Sequence, residues 1–230
     1  MKRRYLVFPL ILQTSIWLIT QILFSVFARW KIIGFHNLDS ISTSRGIIFA
    51  ANHSSELDPI VIPAALPFLS RFMPMFYTSR EESFYQHLGW KRHISGGWFF
   101  KIWGAHALNP GKSDYSISLH THIKLLQAGK SVCIFPEGRI TKTGELQEGR
   151  GGIPFISYAY GTTVIPVYIG GMYGLSLKSF FSGKNRIVIV FGKPMTNAEI
   201  FEGVPFTDPN MYHNAAQNIM KRIASLKPQP

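Results

Sequence analysis

Two short polar runs, each directly after an apolar stretch of strand length, carry the residue types that could do chemistry. The first joins His53 to Asp58 and ends at Pro59, and the second, residues 135–139, reads Phe-Pro-Glu-Gly-Arg. A histidine oriented by a carboxylate is suited to take a proton near neutral pH. An arginine beside a glycine is suited to bind phosphate oxygens. Together the two runs indicate an enzyme that deprotonates a hydroxyl of an anionic, phosphorylated substrate.

The spacing of His53 and Asp58 excludes one geometry and favours another. On a regular helix, residues five apart lie about 140° from each other, too far round to pair. Pro59 disfavours the helical conformation at the residue before it. The spacing therefore predicts a strand-to-helix turn over residues 52–58, with Asp58 as helix N-cap and Pro59 at the first helical position. There the carboxylate can accept the imidazole N–H and leave the other nitrogen as a general base. An ordinary loop histidine beside a helix cap also fits this spacing.

The second run suits the binding of a phosphate. Gly138 beside Arg139 allows backbone N–H groups and a planar guanidinium to approach the same phosphate oxygens. Glu137 has two candidate roles, because it can accept a hydrogen bond from a substrate hydroxyl or hold Arg139 in place. Taken alone, the run also fits a surface turn that carries a charge pair.

The composition narrows the class of partner. The chain has 230 residues, a formal net charge of +12 and a pI near 9.9, which favours an anionic partner. No zinc-ligand pattern or helix-turn-helix signature is found and the basic residues are scattered, so no nucleic acid is expected. No metal site is expected either, since His120 and His122 point apart on a predicted helix. The one cysteine, Cys133, lies in an apolar run, and we expect it to be buried.

The N-terminal segment is long and apolar. Residues 5–28 carry no charge, and as a helix they would extend about 36 Å, enough to cross the hydrocarbon core of a bilayer. Five of its polar side chains fall in one sector of that helix, with Ser15 outside it: Gln13, Thr14, Thr20, Gln21 and Ser25. A spanning or half-embedded anchor, a cleaved signal peptide and a buried core helix all fit the segment, and its length favours the anchor. Basic residues at both ends favour a helix that dips into one leaflet from the cytoplasmic side.

The remaining chain predicts one folded unit. We divide the chain into a membrane-anchoring helix at residues 1–31 and a domain at residues 32–230. Runs of strand length are apolar throughout, as in strands covered on both faces: residues 46–51, 73–77, 132–135, 164–169 and 187–191. Helical patterns lie between and after them, one from Ser113 or Asp114 to Gly129 and one over residues 211–223. This alternation predicts an α/β fold with a mixed, largely parallel sheet covered by helices.

In this order and at this separation, the two runs resemble the glycerolipid acyltransferase family, the PlsC-type lysophosphatidic acid acyltransferases and their relatives. Asn52, His53 and Asp58 match the NH-x4-D block of that family, and residues 135–139 match its FPEGR block in full. Residues 150–152 resemble its basic-glycine run before a helix, and residues 164–167 match its apolar block with a proline. The resemblance covers roughly residues 31–195.

Two departures from the family pattern bear on the acceptor. Ile140 stands where threonine or serine is common in the family. The family also has a block between the two runs whose final arginine helps to bind the acceptor phosphate. The corresponding stretch here, residues 104–110, ends without an arginine, and Lys112 is the nearest base. Either Lys112 substitutes as a point charge, or the acceptor is not lysophosphatidic acid.

The resemblance implies transfer of a fatty acyl group from acyl-CoA or acyl-ACP to a lysophospholipid hydroxyl, foremost that of 1-acyl-glycerol-3-phosphate, in phospholipid biosynthesis and without a cofactor. It implies that His53 and Asp58 are catalytic and that Glu137, Gly138 and Arg139 hold the acceptor; Lys112 is added as the candidate substitute for the missing arginine. The alternatives are another acceptor, such as a different lysolipid or an amino-acid lipid, and a His-Asp thioesterase or hydrolase. The expected partners are membrane lipid and acyl-CoA or acyl carrier protein, with the catalytic domain on the cytoplasmic face; the oligomeric state is not predicted.

Overall fold

The described strands form one sheet in a computed structural model, which describes residues 4–42, 45–79, 98–109 and 114–229. Within those ranges the strands are β1 (Lys31–Ile33), β2 (Ile47–Ala51), β3 (Met75–Ser79), β4 (Ala105–Ala107), β5 (Ser131–Ile134), β6 (Thr163–Gly170) and β7 (Val188–Phe191). Their order is β1-β7-β6-β2-β5-β3-β4. The β6–β7 pair is antiparallel and the other described pairs are parallel. The predicted mixed, largely parallel sheet is confirmed.

Helices cover both faces of this sheet. They are α1 (Arg4–Phe27), α2 (Asp58–Ala64), α3 (Trp98–Trp103), α4 (Tyr115–Ser118), α5 (His120–Gln127), α6 (Gly152–Tyr160), α7 (Leu177–Phe181), α8 (Asn197–Ile200) and α9 (Met211–Ser225), with a 3-10 turn at Phe35–Leu38. In β2, Phe49 and Ala51 pack in the apolar cluster on the α1 and α2 side. Ile48 and Ala50 pack in the cluster formed with α5, α6 and α9. Each face of the strand is therefore buried, which explains why the strand is apolar throughout.

Two predicted helix boundaries are wrong in detail. α2 begins at Asp58 with Leu57 as its N-cap, so Asp58 is the first helical residue rather than the N-cap. The reason is that its carboxylate accepts from N–H groups of the preceding turn instead of from the helix. The helix predicted between residues 113 and 129 is divided into α4 and α5. Asp114 caps α4, while Ser113 lies outside the described residues.

α1 is fastened along the domain by its polar stripe. Gln13 donates to the carbonyls of Met75 and Trp103 and accepts from the N–H of Met75. Trp17 and Gln21 donate to carbonyls at the end of α2. Residues 6–27 are long and apolar enough to cross a membrane by length and composition alone. Of the polar sector seen in the sequence, Gln13 and Thr20 are buried against the protein, Thr14 and Gln21 are half-buried, and Ser25 is exposed.

The opposite side of α1 is apolar and exposed. Seven of its large apolar side chains are between 41% and 62% exposed: Val7, Phe8, Ile11, Leu18, Ile19, Ile22 and Val26. A soluble core helix would bury such residues, so this alternative does not fit. The structure supports α1 as a candidate membrane anchor. The division of the chain at residue 31 stays a prediction.

Candidate active site

The His–Asp turn, which we define as residues 52–58, brings His53 and Asp58 together at the carboxyl end of β2. His53 Nδ1 lies 2.9 Å from Asp58 Oδ2. The same oxygen accepts from the backbone N–H groups of Ser54 and Ser55, at 2.7 and 2.9 Å. The Asp58 side chain is 0% exposed, whereas that of His53 is 16% exposed. Because the carboxylate accepts from Nδ1–H, the tautomer is fixed and Nε2 is left for a substrate.

The ring of His53 is also held by packing. It lies against the ring of Phe135, with centres 4.0 Å apart and planes 13° from parallel. Phe135 ends the apolar run of β5, the neighbour of β2 in the sheet. The histidine is therefore fixed in both position and plane before any ligand binds.

Asn52 positions the turn from the other neighbouring strand. Its side-chain amide donates to the carbonyl of Ile169 at 2.9 Å and accepts from the N–H of Ile169 at 2.7 Å. Because Ala51 pairs with Val167, this side chain continues the β2–β6 pairing beyond the end of β2. The next residue is His53, so these two hydrogen bonds of Asn52 fix the point at which the chain leaves the sheet before the histidine. Sequence reasoning quoted Asn52 only as part of a motif and missed this contact.

Glu137, in the second run, connects the two runs through hydrogen bonds. Its Oε1 accepts from the N–H of His53 at 3.0 Å, and its Oε2 accepts from the N–H of Gln147 at 3.2 Å. The residue is 3% exposed. Burial raises the pKa of Glu137 above its usual value, against the opposing effect of these hydrogen bonds. The predicted alternative that Glu137 holds Arg139 is wrong, because Arg139 Nε donates to Gln147 instead. Contact between Glu137 and substrate stays a prediction.

The arginine loop, defined here as residues 138–150, carries two cations beside Gly138. Gly138 has a φ of 69°, and a Cβ at this position would lie 2.8 Å from Arg150 Nε. The glycine thus lets the Arg150 side chain cross the loop closely. Arg139 and Arg150 are exposed, and neither forms an ion pair within the described residues.

Arg150 was missed as a candidate binding residue because its contact with Gly138 is not local in sequence. The available signal was the basic residue at the end of this loop, which the family resemblance includes only as the start of a basic-glycine run. Lys112 lies outside the described residues, so its place relative to the site stays a prediction.

The other described histidines do not form a second centre. His122 is buried, with Nε2 3.1 Å from the carbonyl oxygen of Tyr77, while His120 is exposed on the same helix. Burial lowers the pKa of His122 to about 4. Across residues 4–42, 45–79, 98–109 and 114–229, no group of three or more His, Cys, Asp or Glu side chains could hold a metal ion. Cys133 is buried, as predicted.

These features define an α/β protein with a His–Asp pair and an arginine-bearing loop at the carboxyl ends of neighbouring strands, an arrangement suited to activating a hydroxyl or water. A family model described as Acyltransferase matches residues 32–170. The chain belongs to this family, and the predicted resemblance is confirmed.

Named relatives and a solved structure agree with this family. The 1-acyl-sn-glycerol-3-phosphate acyltransferase of Bacillus subtilis is 30% identical over 171 residues, 71% of this chain and 74% of that protein. A probable 1-acyl-sn-glycerol-3-phosphate acyltransferase of Mycoplasma pneumoniae is 22% identical over 134 residues, 56% of this chain and 46% of that protein. The chain thus spans less than half of the Mycoplasma protein. The crystal structure of the 1-acyl-sn-glycerophosphate acyltransferase PlsC from Thermotoga maritima has the same fold, with a TM-score of 0.61 and 18% identity over 96% of this chain and 81% of that one.

Proposed function

We propose that this protein transfers a fatty acyl group from a thioester, acyl-CoA or acyl-ACP, to the hydroxyl of a lysophospholipid, foremost 1-acyl-glycerol-3-phosphate. The observation that carries the proposal is the 2.9 Å contact between His53 Nδ1 and the fully buried Asp58. It supplies a histidine with a fixed tautomer beside a loop with two arginines that form no ion pair among the described residues. Membership of the acyltransferase family supports the same reaction class.

The proposed reaction needs one base and no covalent enzyme intermediate. His53 Nε2 takes the proton of the acceptor hydroxyl as its oxygen attacks the thioester carbonyl. The new C–O bond forms, the C–S bond breaks, and the thiolate leaves with the electron pair. The imidazolium then returns its proton to the sulfur or to solvent, while the buried Asp58 carboxylate stabilises the positive ring. Thiolate is a good leaving group, so no strong general acid is required.

The arginine loop is proposed to bind the acceptor phosphate. The Arg150 side chain crosses Gly138, and Arg139 is the next residue in the chain, so both guanidinium groups are proposed to donate to one phosphate. Gly138 leaves room for that approach. Lys112, the sequence candidate for the arginine that the family places in another block, is proposed as a further point charge.

The apolar side of α1 is proposed to dip into one leaflet from the cytoplasmic side. Its inward stripe is hydrogen-bonded to the domain, so the helix lies along the protein. Exposed apolar residues beside it extend the surface, because Phe68 contacts Trp17 and Phe181 contacts Phe27. Such a surface would bring a lipid acceptor to the site from the membrane. Release of the intact protein by alkaline carbonate without detergent would contradict this anchor.

An acceptor panel tests the function. Purified full-length protein in detergent is given acyl-CoA or acyl-ACP together with lysolipids that differ only in head group, and both free thiol and lipid product are measured. We expect thiol release that requires lysophosphatidate and yields phosphatidate in equal amount. Thiol release without any acceptor would indicate a thioesterase instead. Release only with a different lysolipid would overturn the proposed acceptor but not the acyl transfer.

A further inference from the structure

The exposed apolar side of α1 is continued by α7. The ring of Phe181 in α7 contacts the ring of Phe27, with centres 5.0 Å apart, and the neighbouring Phe180 packs against Phe24 and Phe27. Leu177 and Phe181 are 79% and 53% exposed. They are four residues apart in α7 and therefore share one face of that helix. The exposed apolar surface thus passes from α1 onto α7.

Exposed cations lie beside this end of the apolar surface. We call them the basic surface: Arg29, Lys31, Lys178, Lys184 and Arg186. The segments before and after α7 are joined to the end of α1, because Lys31 N–H donates to the carbonyl of Ile187 at 2.8 Å and Ile187 N–H donates to that of Ala28 at 3.2 Å. Lys178 is three residues before Phe181 in α7, so the two side chains are neighbours. The cations therefore adjoin the exposed apolar residues.

The basic surface comes from stretches of sequence that carry no acids. Residues 1–38 and 149–198 contain no Asp or Glu. Across residues 4–42, 45–79, 98–109 and 114–229, none of its cations forms an ion pair. By contrast, Arg222 in α9 pairs with Glu199 at 2.9 Å. Cations of this kind beside an exposed apolar surface favour a partner that is both anionic and apolar, as a leaflet with acidic lipids is.

The basic surface lies at the same end of the sheet as the His–Asp turn. Arg186 comes shortly before Val188, which pairs with Gly170 at the end of β6. The side chain of Asn52, in the turn, is hydrogen-bonded to the neighbouring Ile169. A leaflet in contact with the basic surface would therefore lie near the candidate site.

We propose that the basic surface binds the headgroups of acidic phospholipids, so that the protein prefers an anionic leaflet. The apolar side chains of α1 and α7 enter the acyl-chain region, and the ammonium and guanidinium groups beside them lie at the level of the lipid phosphates. Each Lys or Arg near an anionic surface strengthens binding about fivefold. The proposal rests on the membrane contact of α1 proposed above. It adds a preference for lipid charge, which an apolar helix alone does not provide.

Partition of the full-length protein between two vesicle populations tests the proposal. Detergent-solubilised protein is diluted into a mixture of phosphatidylcholine vesicles and sucrose-loaded vesicles that also contain phosphatidylglycerol, and centrifugation separates the two. We expect the wild type to favour phosphatidylglycerol, and this preference to fall as salt rises, because salt screens exposed charges. Equal partition at low salt would overturn the basic surface and leave the contact of α1 standing, whereas recovery with neither population would overturn both.

Charge-neutralising variants locate the preference. Lys178→Gln/Lys184→Gln removes two cations and should lower the preference for phosphatidylglycerol roughly 25-fold. Lys178→Arg/Lys184→Arg keeps both charges and should retain it. Lys124→Gln/Lys221→Gln is the matched control, because it removes two exposed lysines from α5 and α9 on the other face of the sheet, and it should leave the preference nearly unchanged. A fall below about threefold in the first variant, or an equal fall in the control, would overturn the assignment.

A carrier-protein titration separates a lipid surface from a protein-binding one. Wild type and Lys178→Gln/Lys184→Gln, each in uncharged detergent, are titrated with acyl-ACP by calorimetry. We expect the variant to behave as the wild type does, because the basic surface binds lipid headgroups. Weaker binding of acyl-ACP by the variant would assign the basic surface to the carrier protein and overturn the lipid assignment.

Discussion

The His–Asp turn and the arginine loop, the two parts of the candidate site, differ in how far their side chains are buried and hydrogen-bonded. In the turn, a fully buried carboxylate accepts from the imidazole and from two backbone N–H groups. In the loop, Arg139 and Arg150 are exposed, and the one side-chain hydrogen bond between them and the described residues runs from Arg139 to Gln147. A group that accepts a proton in the reaction must be oriented beforehand. Groups that bind a charged substrate must instead keep N–H donors that no protein acceptor already occupies. Substitutions in the turn should therefore lower kcat, and those in the loop should raise KM.

Replacing the base should have the largest effect. We expect His53→Ala to lower kcat by at least about 100-fold, the usual worth of a general base, with little change in far-UV circular dichroism. Asp58→Asn is the matched variant, because it keeps an oxygen for the three donors and removes the charge that stabilises the imidazolium. It should lower kcat with KM nearly unchanged. Activity of His53→Ala above about a tenth of the wild-type value would refute the assignment of the base.

Substitution of Glu137 tests whether the turn depends on the hydrogen bond that Glu137 accepts from the N–H of His53. Glu137→Ala leaves the half-buried N–H groups of His53 and Gln147 without this acceptor, which costs up to about 1–3 kcal/mol each, and it frees the backbone of His53. We expect a fall in kcat of about tenfold or more, with the KM for the acceptor nearly constant. A large rise in that KM at constant kcat would instead assign Glu137 to substrate binding. Steady-state kinetics over a range of acceptor concentrations separates the two roles.

The pH dependence of stability gives Glu137 a second, independent readout. Its folded-state pKa is raised, so as pH rises the unfolded chain ionises first and unfolding becomes more favourable. The penalty is absent below the unfolded pKa and complete above the folded one. Glu137→Gln cannot ionise, so wild-type stability should decline relative to this variant as pH rises through that window. Urea unfolding at several pH values measures the difference, and parallel curves for the two proteins would contradict it.

The sequence predicts the local half of this site better than the long-range half. The contact between His53 and Asp58 follows from a short spacing and a proline, and the apolar strands follow from uninterrupted runs. The hydrogen bonds that position the turn do not follow from local spacing. Asn52 bonds to Ile169 and Glu137 bonds to His53, and each pair joins segments that are remote in sequence. Such contacts depend on strand order and register, which no local pattern encodes. Arg150 was missed for the same reason, because its contact with Gly138 exists only in the folded loop.

Smaller, graded effects are expected in the arginine loop. Arg139→Gln and Arg150→Gln should each raise the KM for a phosphate-bearing acceptor by about tenfold, with kcat nearly unchanged, because they remove uniform binding. Arg→Lys at either position keeps the charge but loses the bidentate fork, so intermediate values are expected. A neutral monoacylglycerol serves as the control acceptor, and its KM should not change. If kcat falls for all acceptors, the loop orients the reaction and the contrast with the turn fails.

The smallest effect on activity should come from His122, a buried histidine that contacts a carbonyl rather than a carboxylate. His122→Gln keeps a donor for Tyr77 and should leave kcat unchanged at pH 7.5, which would show that burial alone does not make a histidine catalytic here.

The effect of His122→Gln on stability should appear in acid. Burial lowers its folded-state pKa to about 4, so its stabilising contribution is complete above the unfolded value near 6.5 and is lost as pH falls toward 4. The wild type should lose roughly 3 kcal/mol over that window through this group. For His122→Gln, the free energy of unfolding in urea should decline less steeply as pH falls. Part of the decline that remains is due to His106, because burial also lowers the pKa of that residue. The exposed His120→Gln is the control and should keep the wild-type slope, whereas an equal slope in both variants would exclude His122 as the acid-sensitive group.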